Sequence, residues 1–395
     1  TLHHPVQRKG ELNPEFLGII PTRLCNSACC YCDFGADLAS AEKMTYELAT
    51  KAVDWYADLL KLNQNKIMDI HFFGGEPMLA RDVIEVVVQR ARILAAANKM
   101  VPYFEISTNG QYSTRDARYL GHYFDKIILS FDGFSDIQNR HRPLKAQKDS
   151  YENVLIIAEI ISNSNAELCI RCCVSHENLS RMEEFTQWLC ENLRLTAINF
   201  ESLAVTPQSF IAGLKQPDPV DFAVHFQKSR EIAEKYGVSA IYSSDINTWP
   251  VVSSCPVGKD TVIISPDRRI SNCYLQPEKW QKVGLNLDFG SFKHDGNVKI
   301  DKSRVNEIRE MVRNKPRCNK CFCRWSCAGG CHVGITYPGS GHNYDNYCTQ
   351  TRLISAFTLL SNLNANEKID RLIESPEAFK QIVNSPTDSI MDLTT

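Results

Sequence analysis

The sequence predicts an α/β fold in which repeated strand–helix units build a parallel sheet, open or curled into a barrel. Short apolar runs alternate with amphipathic helical stretches over roughly 225 residues. Little in that span reads as a strand–strand hairpin. Polar or glycine-rich segments recur directly after the strands, where parallel α/β sheets carry their ligand loops.

The elements follow in order. Residues 16–21 form a short apolar strand that delivers the chain to a cysteine-rich loop. Between 45 and 62, Leu48, Ala52, Trp55, Tyr56, Leu59 and Leu60 recur at helical spacing. Residues 67–73 read as a strand ending on Gly74 and Gly75, followed by a helix over 81–98. A strand over 101–107 runs into Thr108, Asn109 and Gly110, and one over 126–131 is closed by Asp132 and Gly133. Then come a helix at 151–162, a strand at 167–174, a helix at 179–192, a strand at 195–202 and a helix at 221–236. From about 243 to 348 the pattern changes to short strands, many Pro, Gly and Asn residues, and seven candidate ligating cysteines. Such a module is organised by metal rather than by a large apolar core. Terminal helices are predicted at 355–363 and 376–383.

Composition narrows the function classes. The 395-residue chain carries a net charge of -2, with 23% charged residues and no basic tract, so no nucleic-acid partner is expected. Its longest apolar runs, 83–88 and 154–161, are broken by charge and fall short of a bilayer span, so no membrane is expected. No secretory pattern opens the sequence, and a reducing cytoplasm is the expected compartment. The sixteen cysteines fit this. Disulfide frameworks staple small domains, whereas most thiols here fall into two tight groups.

The first group is Cys25, Cys29 and Cys32, with three and two residues between them. Three thiolates leave one iron of a four-iron cubane open to an exogenous chelating ligand, whereas a structural zinc site takes four protein ligands. Cys30, adjacent to Cys29, is expected to point away and pack as a small buried hydrophobe. The second group comprises Cys318, Cys321, Cys327 and Cys331, with Cys348 beyond. Its spacing suits iron–sulfur clusters or zinc. Cys169, Cys172, Cys173 and Cys190 have no such partners and read as core thiols.

The triad, with Tyr31 before its last cysteine and Gly74-Gly75-Glu76-Pro77 downstream, resembles the signature of the radical S-adenosylmethionine (SAM) enzymes. The resemblance implies a partial (β/α)6 TIM-like barrel over 1–240, a cysteine-rich auxiliary-cluster domain over 241–350 and a C-terminal helical extension over 351–395. It implies a four-iron four-sulfur cluster on Cys25, Cys29 and Cys32 whose open iron is chelated by the SAM methionine group. One-electron cleavage would then release methionine and a 5′-deoxyadenosyl radical that abstracts a substrate hydrogen. By the same resemblance Gly74, Gly75, Glu76 and Pro77 hold the methionine amino group. Tyr31, Thr108, Asn109, Ser130 and Asp132 line the cofactor site, Ser130 at the ribose. Arg171 meets the methionine carboxylate, and Asn178 lies near the adenosyl moiety. An external electron donor of the flavodoxin or ferredoxin type is also implied.

The downstream block resembles the SPASM extension of that superfamily, which binds two auxiliary iron–sulfur clusters, expected as four-iron four-sulfur. The resemblance assigns Cys318, Cys321, Cys327 and Cys348 to an outer cluster, and Cys331 to an inner one with Cys255 and Cys273. No other cysteine lies between Cys255 and Cys273, so the inner cluster has three evident ligands. An open iron, a non-cysteine ligand and a different cluster type all fit. Arg268 stands where the family has Gly. Cys323 is expected to pack or to hydrogen-bond to sulfur. A zinc ribbon is the structural alternative.

The resemblance further implies a peptide substrate, and the leading expectation is oxidative modification, by cross-linking, of a side chain of a ribosomally synthesised peptide. A redox-neutral epimerase, a sulfatase-type maturase and a small-molecule radical enzyme are the alternatives, with an iron–sulfur or zinc scaffold as the non-enzymatic one. The sulfatase-maturing branch has an acidic residue after its second early auxiliary cysteine, where Tyr274 follows Cys273 here. Glu201, Tyr242, Asp245 and Tyr274 are the acid–base candidates. With 24 residues ahead of Cys25, leader recognition is expected from a separate protein, from direct substrate contact or from a segment preceding Thr1.

Overall fold

The computed structural model describes residues 8–34, 42–145, 148–245, 250–313, 318–335, 341–375 and 377. The first half alternates as expected: β1 (Leu17–Ile19), α1 (Tyr46–Leu62), β2 (Ile67–Phe72), α2 (Arg81–Ala97), β3 (Val101–Thr108), α3 (Thr114–Tyr123), β4 (Lys126–Ser130), α4 (Ser135–His141) and α5 (Tyr151–Ser162). It continues through β5 (Glu167–Val174), α6 (Met182–Asn192), β6 (Ala197–Ser202), α7 (Pro207–Ile211), α8 (Pro219–Lys235) and β7 (Ser239–Ile241). The rest holds β8 (Val262–Ile264), β9 (Arg269–Ser271), α9 (Pro277–Gln281), β10 (Asp288–Phe292), β11 (Val298–Ile300), α10 (Lys302–Arg313), α11 (His332–Ile335), α12 (Gly341–Asn362) and α13 (Asn366–Glu374).

Local chemistry explains the long helices. The Thr45 side chain accepts from Leu48 N and caps α1, whose Leu48, Ala52, Val53, Tyr56 and Leu60 form its buried stripe. In α2, Val83, Ile84, Val87, Val88, Ala91 and Ala95 do the same. Asp218 caps α8 through Val220 N and Asp221 N, with Pro219 in the first turn. α3 and α4 lie where no helix was expected. The 355–363 prediction is only the C-terminal part of α12, and the helix predicted at 376–383 falls almost wholly outside the described residues.

The strands make one sheet in the order β11-β10-β9-β8-β1-β2-β3-β4-β5-β6-β7. From β1 to β7 every pairing is parallel, which gives the six βα units of the expected partial barrel and one further strand. The sheet runs on past β1 because β8 pairs parallel with its other edge, Leu17 opposite Val262, and β8 to β11 continue antiparallel. The cysteine-rich half is therefore hydrogen-bonded into the same sheet as the barrel strands. Leu17 and Ile19 are fully buried, as expected of a strand with a neighbour on each side and both faces covered.

Two polar contacts tie remote segments together. Arg309 of α10 reaches Asp260, ahead of β8, with Nε 2.7 Å from Oδ1, and both side chains are nearly inaccessible, at 3% and 1%. The same guanidinium donates to Gly10 O at 3.0 Å and Glu11 O at 3.4 Å, while Asn13 N donates to Asp260 Oδ2 at 3.2 Å. Elsewhere α12 packs along α8 and is pinned to the chain after β7. Ser355 and Thr358 donate to Asp245 at 2.5 and 2.8 Å, and Gln350 Nε2 donates to Tyr242 Oη at 2.8 Å. No described helix is long and apolar enough to cross a membrane.

Candidate metal centres

Parallel pairing brings the C-terminal ends of the barrel strands to one rim, and the loop after β1 carries Cys25, Cys29 and Cys32 there. The loop is held by the segment after α4: Cys30 N donates to His141 O at 2.9 Å, Ala28 N to Pro143 O at 2.7 Å, and Ser27 bridges Leu144. The three thiols face one another closely enough that Cys25 feels the charge of Cys32, and Cys29 that of both. Burial pushes the free thiols up, Cys25 to about 11 and Cys29 to about 12. Such thiols require compensating positive charge to ionise, which bound metal supplies. Cys30 points away from the other three, as expected, but it is only half-buried and its Sγ donates to Arg140 O at 3.2 Å rather than packing as a buried hydrophobe.

The Gly74–Pro77 segment lies against the entry to this loop. Gly75 N donates to Thr22 O at 3.3 Å and Glu76 N to Leu24 O at 2.7 Å. A Cβ at position 75 would overlap the carbonyl oxygens of Arg23 and Leu24, so only glycine allows the two loops to touch there. Gly75→Ala is expected to destabilise this junction by about 1–3 kcal/mol, as overpacking does. A lowered iron content at the triad, with the downstream iron unchanged, is the measurement that checks it.

Glu76 faces inward and is fully buried. Its carboxylate accepts from Met78 N at 3.0 Å, Asn109 N at 2.7 Å and Thr108 Oγ1 at 2.8 Å. Burial raises its pKa to about 7 against those three bonds. All three donors belong to the protein, so Glu76 ties the loops after β2 and β3 together. Asn109 extends the tie: its Nδ2 lies 2.9 Å from Asn26 Oδ1, 2.9 Å from Ser27 Oγ and 3.6 Å from Cys25 Sγ.

Ser130, the last residue of β4, is the register partner of Arg171 in the middle of β5, and Cys173 and Glu201 are partners one step further along β5 and β6. By strand alternation these four side chains share one half-buried face of the sheet. Asp132 lies deeper. Its buried carboxylate takes the Tyr31 hydroxyl, Cys173 N at 3.0 Å and the Arg142 guanidinium at 3.0 Å. Burial opposes its charge, but Arg142 and the bonds from His141 and Tyr31 prevail and hold its pKa at about 2. Asn178 is buried too, donating to Asp132 O at 2.8 Å and Cys173 O at 3.0 Å. Its amide joins the loops after β4 and β5.

The downstream thiols form two groups. Cys318, Cys321, Cys327 and Cys348 line one cavity with Cys323 and Arg352. Cys323 and Arg352 hydrogen-bond to the Cys321 sulfur and lower its pKa, so Cys323 has the sulfur contact expected of it. Burial pushes the Cys273 thiol well up, and Cys331 and Cys255 add smaller pushes in the same direction. Among the described residues no three His, Cys, Asp or Glu side chains close around a single metal ion. The fit to a larger cluster rests on the four thiols ringing one cavity.

Of the acid–base candidates, Glu201 stands at the rim and accepts from Ser243 N at 3.2 Å. Tyr242 and Asp245 have their polar atoms engaged by α12 as described above. Tyr274 lies over Gly18 of β1, where a Cβ would sit 2.7 Å from its hydroxyl, and its ring meets Phe73 at 4.8 Å. Sequence reasoning missed His141, Arg142 and Arg352. Only the basic pair before Pro143 offered a local sign of the first two.

Residues 19–189 match the Radical SAM superfamily model. The PqqA peptide cyclase of Rhizobium meliloti is 20% identical over 348 residues, 86% of this chain and 88% of its own length. The radical SAM cyclopropyl synthase TigE of Paramaledivibacter caminithermalis is 27% identical over 172 residues, 40% of this chain and 35% of its own length. Among solved structures, anSMEcpe with bound AdoMet and Cp18Cys peptide superposes with a TM-score of 0.67 at 20% identity, over 90% of this chain and 99% of that one. This likeness shows a shared fold.

Proposed function

We propose that this radical SAM enzyme oxidatively modifies, by cross-linking, a side chain of a ribosomally synthesised peptide. The observation that carries the reading is a three-thiol loop at the barrel rim in the same chain as a four-thiol cavity and the buried Cys273. The match to a peptide cyclase along 86% of the chain takes in both halves and supports it. When bound, SAM on its cluster supplies a substrate-oxidising carbon radical by one-electron cleavage, and auxiliary clusters supply an electron acceptor.

In this reading Cys25, Cys29 and Cys32 hold the SAM-binding cluster. Cys318, Cys321, Cys327 and Cys348 hold the outer auxiliary cluster, and Cys255, Cys273 and Cys331 the inner one. The Gly74–Pro77 backbone receives the methionine amine, with Glu76 and Asn109 fixing that backbone against the Cys25 loop. Arg171 pairs with the methionine carboxylate and Ser130 with the ribose, as their shared face allows. Glu201, beside them, is the carboxylate best placed to take a proton from substrate. Residues 1–240 then form the radical module, 241–350 the auxiliary module and 351–395 the extension that α12 begins to dock. The peptide would arrive with or without a separate leader-recognition protein, and a flavodoxin- or ferredoxin-type donor would supply the electron.

Anaerobic incubation with a short precursor peptide encoded beside the gene, SAM and reductant, followed by tandem mass spectrometry, tests the reading. A loss of two hydrogens confined to one or two side chains is the expected result. Unchanged mass with solvent deuterium at an α-carbon would replace it with epimerisation, and turnover of a small metabolite alone would overturn the substrate class.

A further inference from the structure

A largely buried cation beside the triad has no part in the proposed function. Arg142 follows α4 and its side chain is 12% exposed. Its Nη1 lies 4.0 Å from Cys29 Sγ, its Nε is 3.0 Å from Asp132 Oδ2, and its guanidinium carbon stands 5.3 Å from the centre of the Tyr31 ring. The backbone bonds from residues 28 and 30 to residues 143 and 141 flank Arg142 on both sides, so its position is fixed to the ligand loop itself. His141, fully buried, lies behind Asp132, with Nδ1 3.5 Å from Oδ2 and Nε2 3.6 Å from Glu177.

We propose that Arg142 is a positioning residue for the triad cluster: a fixed cation set against one ligand, Cys29, that favours the reduced cluster. The inference rests on the assignment of a cluster to Cys25, Cys29 and Cys32. One nitrogen of the guanidinium faces Asp132 and another faces Cys29, so the ion pair is a dipole whose positive end points at the sulfur. Reduction adds a negative charge to a cluster, and a buried cation close to a ligand sulfur stabilises that charge with little screening by solvent. The other described donors around the triad are neutral: Ser27 N at 3.4 Å and Asn109 Nδ2 at 3.6 Å, both on Cys25. Consistent with this, burial dominates at the Cys29 thiol, and Arg142 is the foremost influence opposing it, with Asp132 acting more weakly the other way.

Opposite charges give the test its sign. In the reconstituted holoenzyme, a reductive titration followed by electron paramagnetic resonance should shift to more negative potential in Arg142→Gln. At the potential that half-reduces the wild-type cluster, the reduced fraction should fall well below half. Arg142→Lys, which keeps the charge, should stay close to wild type, and Asp132→Asn should shift the other way. Equal shifts in Arg142→Gln and Arg142→Lys, or no shift in a fully iron-loaded Arg142→Gln, would overturn the proposal and leave the cluster assignment standing. If Arg142→Gln retains no iron, Asp132→Asn decides, and a shift to more negative potential there refutes the idea. A wild-type protein with no reducible cluster at the triad overturns both this inference and the assignment beneath it.

Discussion

A variant with Cys25, Cys29 and Cys32 all replaced by Ala is expected to lose reductive cleavage of SAM down to background while keeping most of its downstream iron. Among the described residues the nearby alternatives are engaged: Cys30 turns to Arg140 O, and Asn26, Ser27 and Asn109 bond to one another. The thiols of the second half lie in their own groups, four around one cavity and three near Cys273. Iron and sulfide per chain after anaerobic reconstitution, together with 5′-deoxyadenosine formed on adding reductant, read both parts of the expectation. Retained cleavage would remove the triad from the mechanism, and loss of all iron would mean that the two halves load as a unit.

The largest expected effect on stability comes from Arg309→Met. It leaves the Asp260 carboxylate buried without its cation, a change that costs about 3–5 kcal/mol when a buried ion pair loses one partner. It also strips the Gly10 and Glu11 carbonyls of their donor. The first urea transition should move accordingly, and the segment around residues 8–13 should become the earliest site of proteolytic cleavage. Adding Asp260→Leu should restore part of the loss by removing the orphaned charge. Restoration stays partial because Asn13 N and the two carbonyls remain without partners. A single variant as stable as wild type would refute this account of the clamp.

The strands and helices that the sequence made legible are those whose apolar period is strong. β1 to β6, α1, α2, α5, α6 and α8 were each legible from it. α3 was not, because its buried stripe is only Ala117, Leu120 and Gly121, too thin to stand out from a polar segment. The start of α12 was hidden by the polar run from Gly341 to Asn346. β8, β9 and β11 have three residues each, which shows no alternation, and the pairing of β8 with β1 joins segments that local pattern cannot relate. The site divides in the same way. Cysteine spacing announced the thiol groups, and the strands that carry Ser130 and Arg171 were themselves legible. Which way Glu76, Asp132 and Asn178 turn was not legible, since a polar side chain in a loop serves a ligand and an interior equally well. Arg142 was invisible because its meeting with Cys29 depends on α4 returning the chain to the first loop.

The place of β1 between β2 and β8 also fixes an order of events during synthesis. The strand that delivers the triad leaves the ribosome long before β8, and Leu17 cannot have both neighbours until Val262 has emerged. Until then one edge of β1 lies open, and Gly18 lacks the Tyr274 hydroxyl that later covers it. All seven parallel strands are made while the triad loop still has an incomplete floor. Pairings this remote in sequence close late in folding. Cluster delivery to Cys25, Cys29 and Cys32 thus belongs to a chain already made through β8, and a nascent fragment ending before β8 would lack the Ile263 of the apolar cluster against which Cys32 packs.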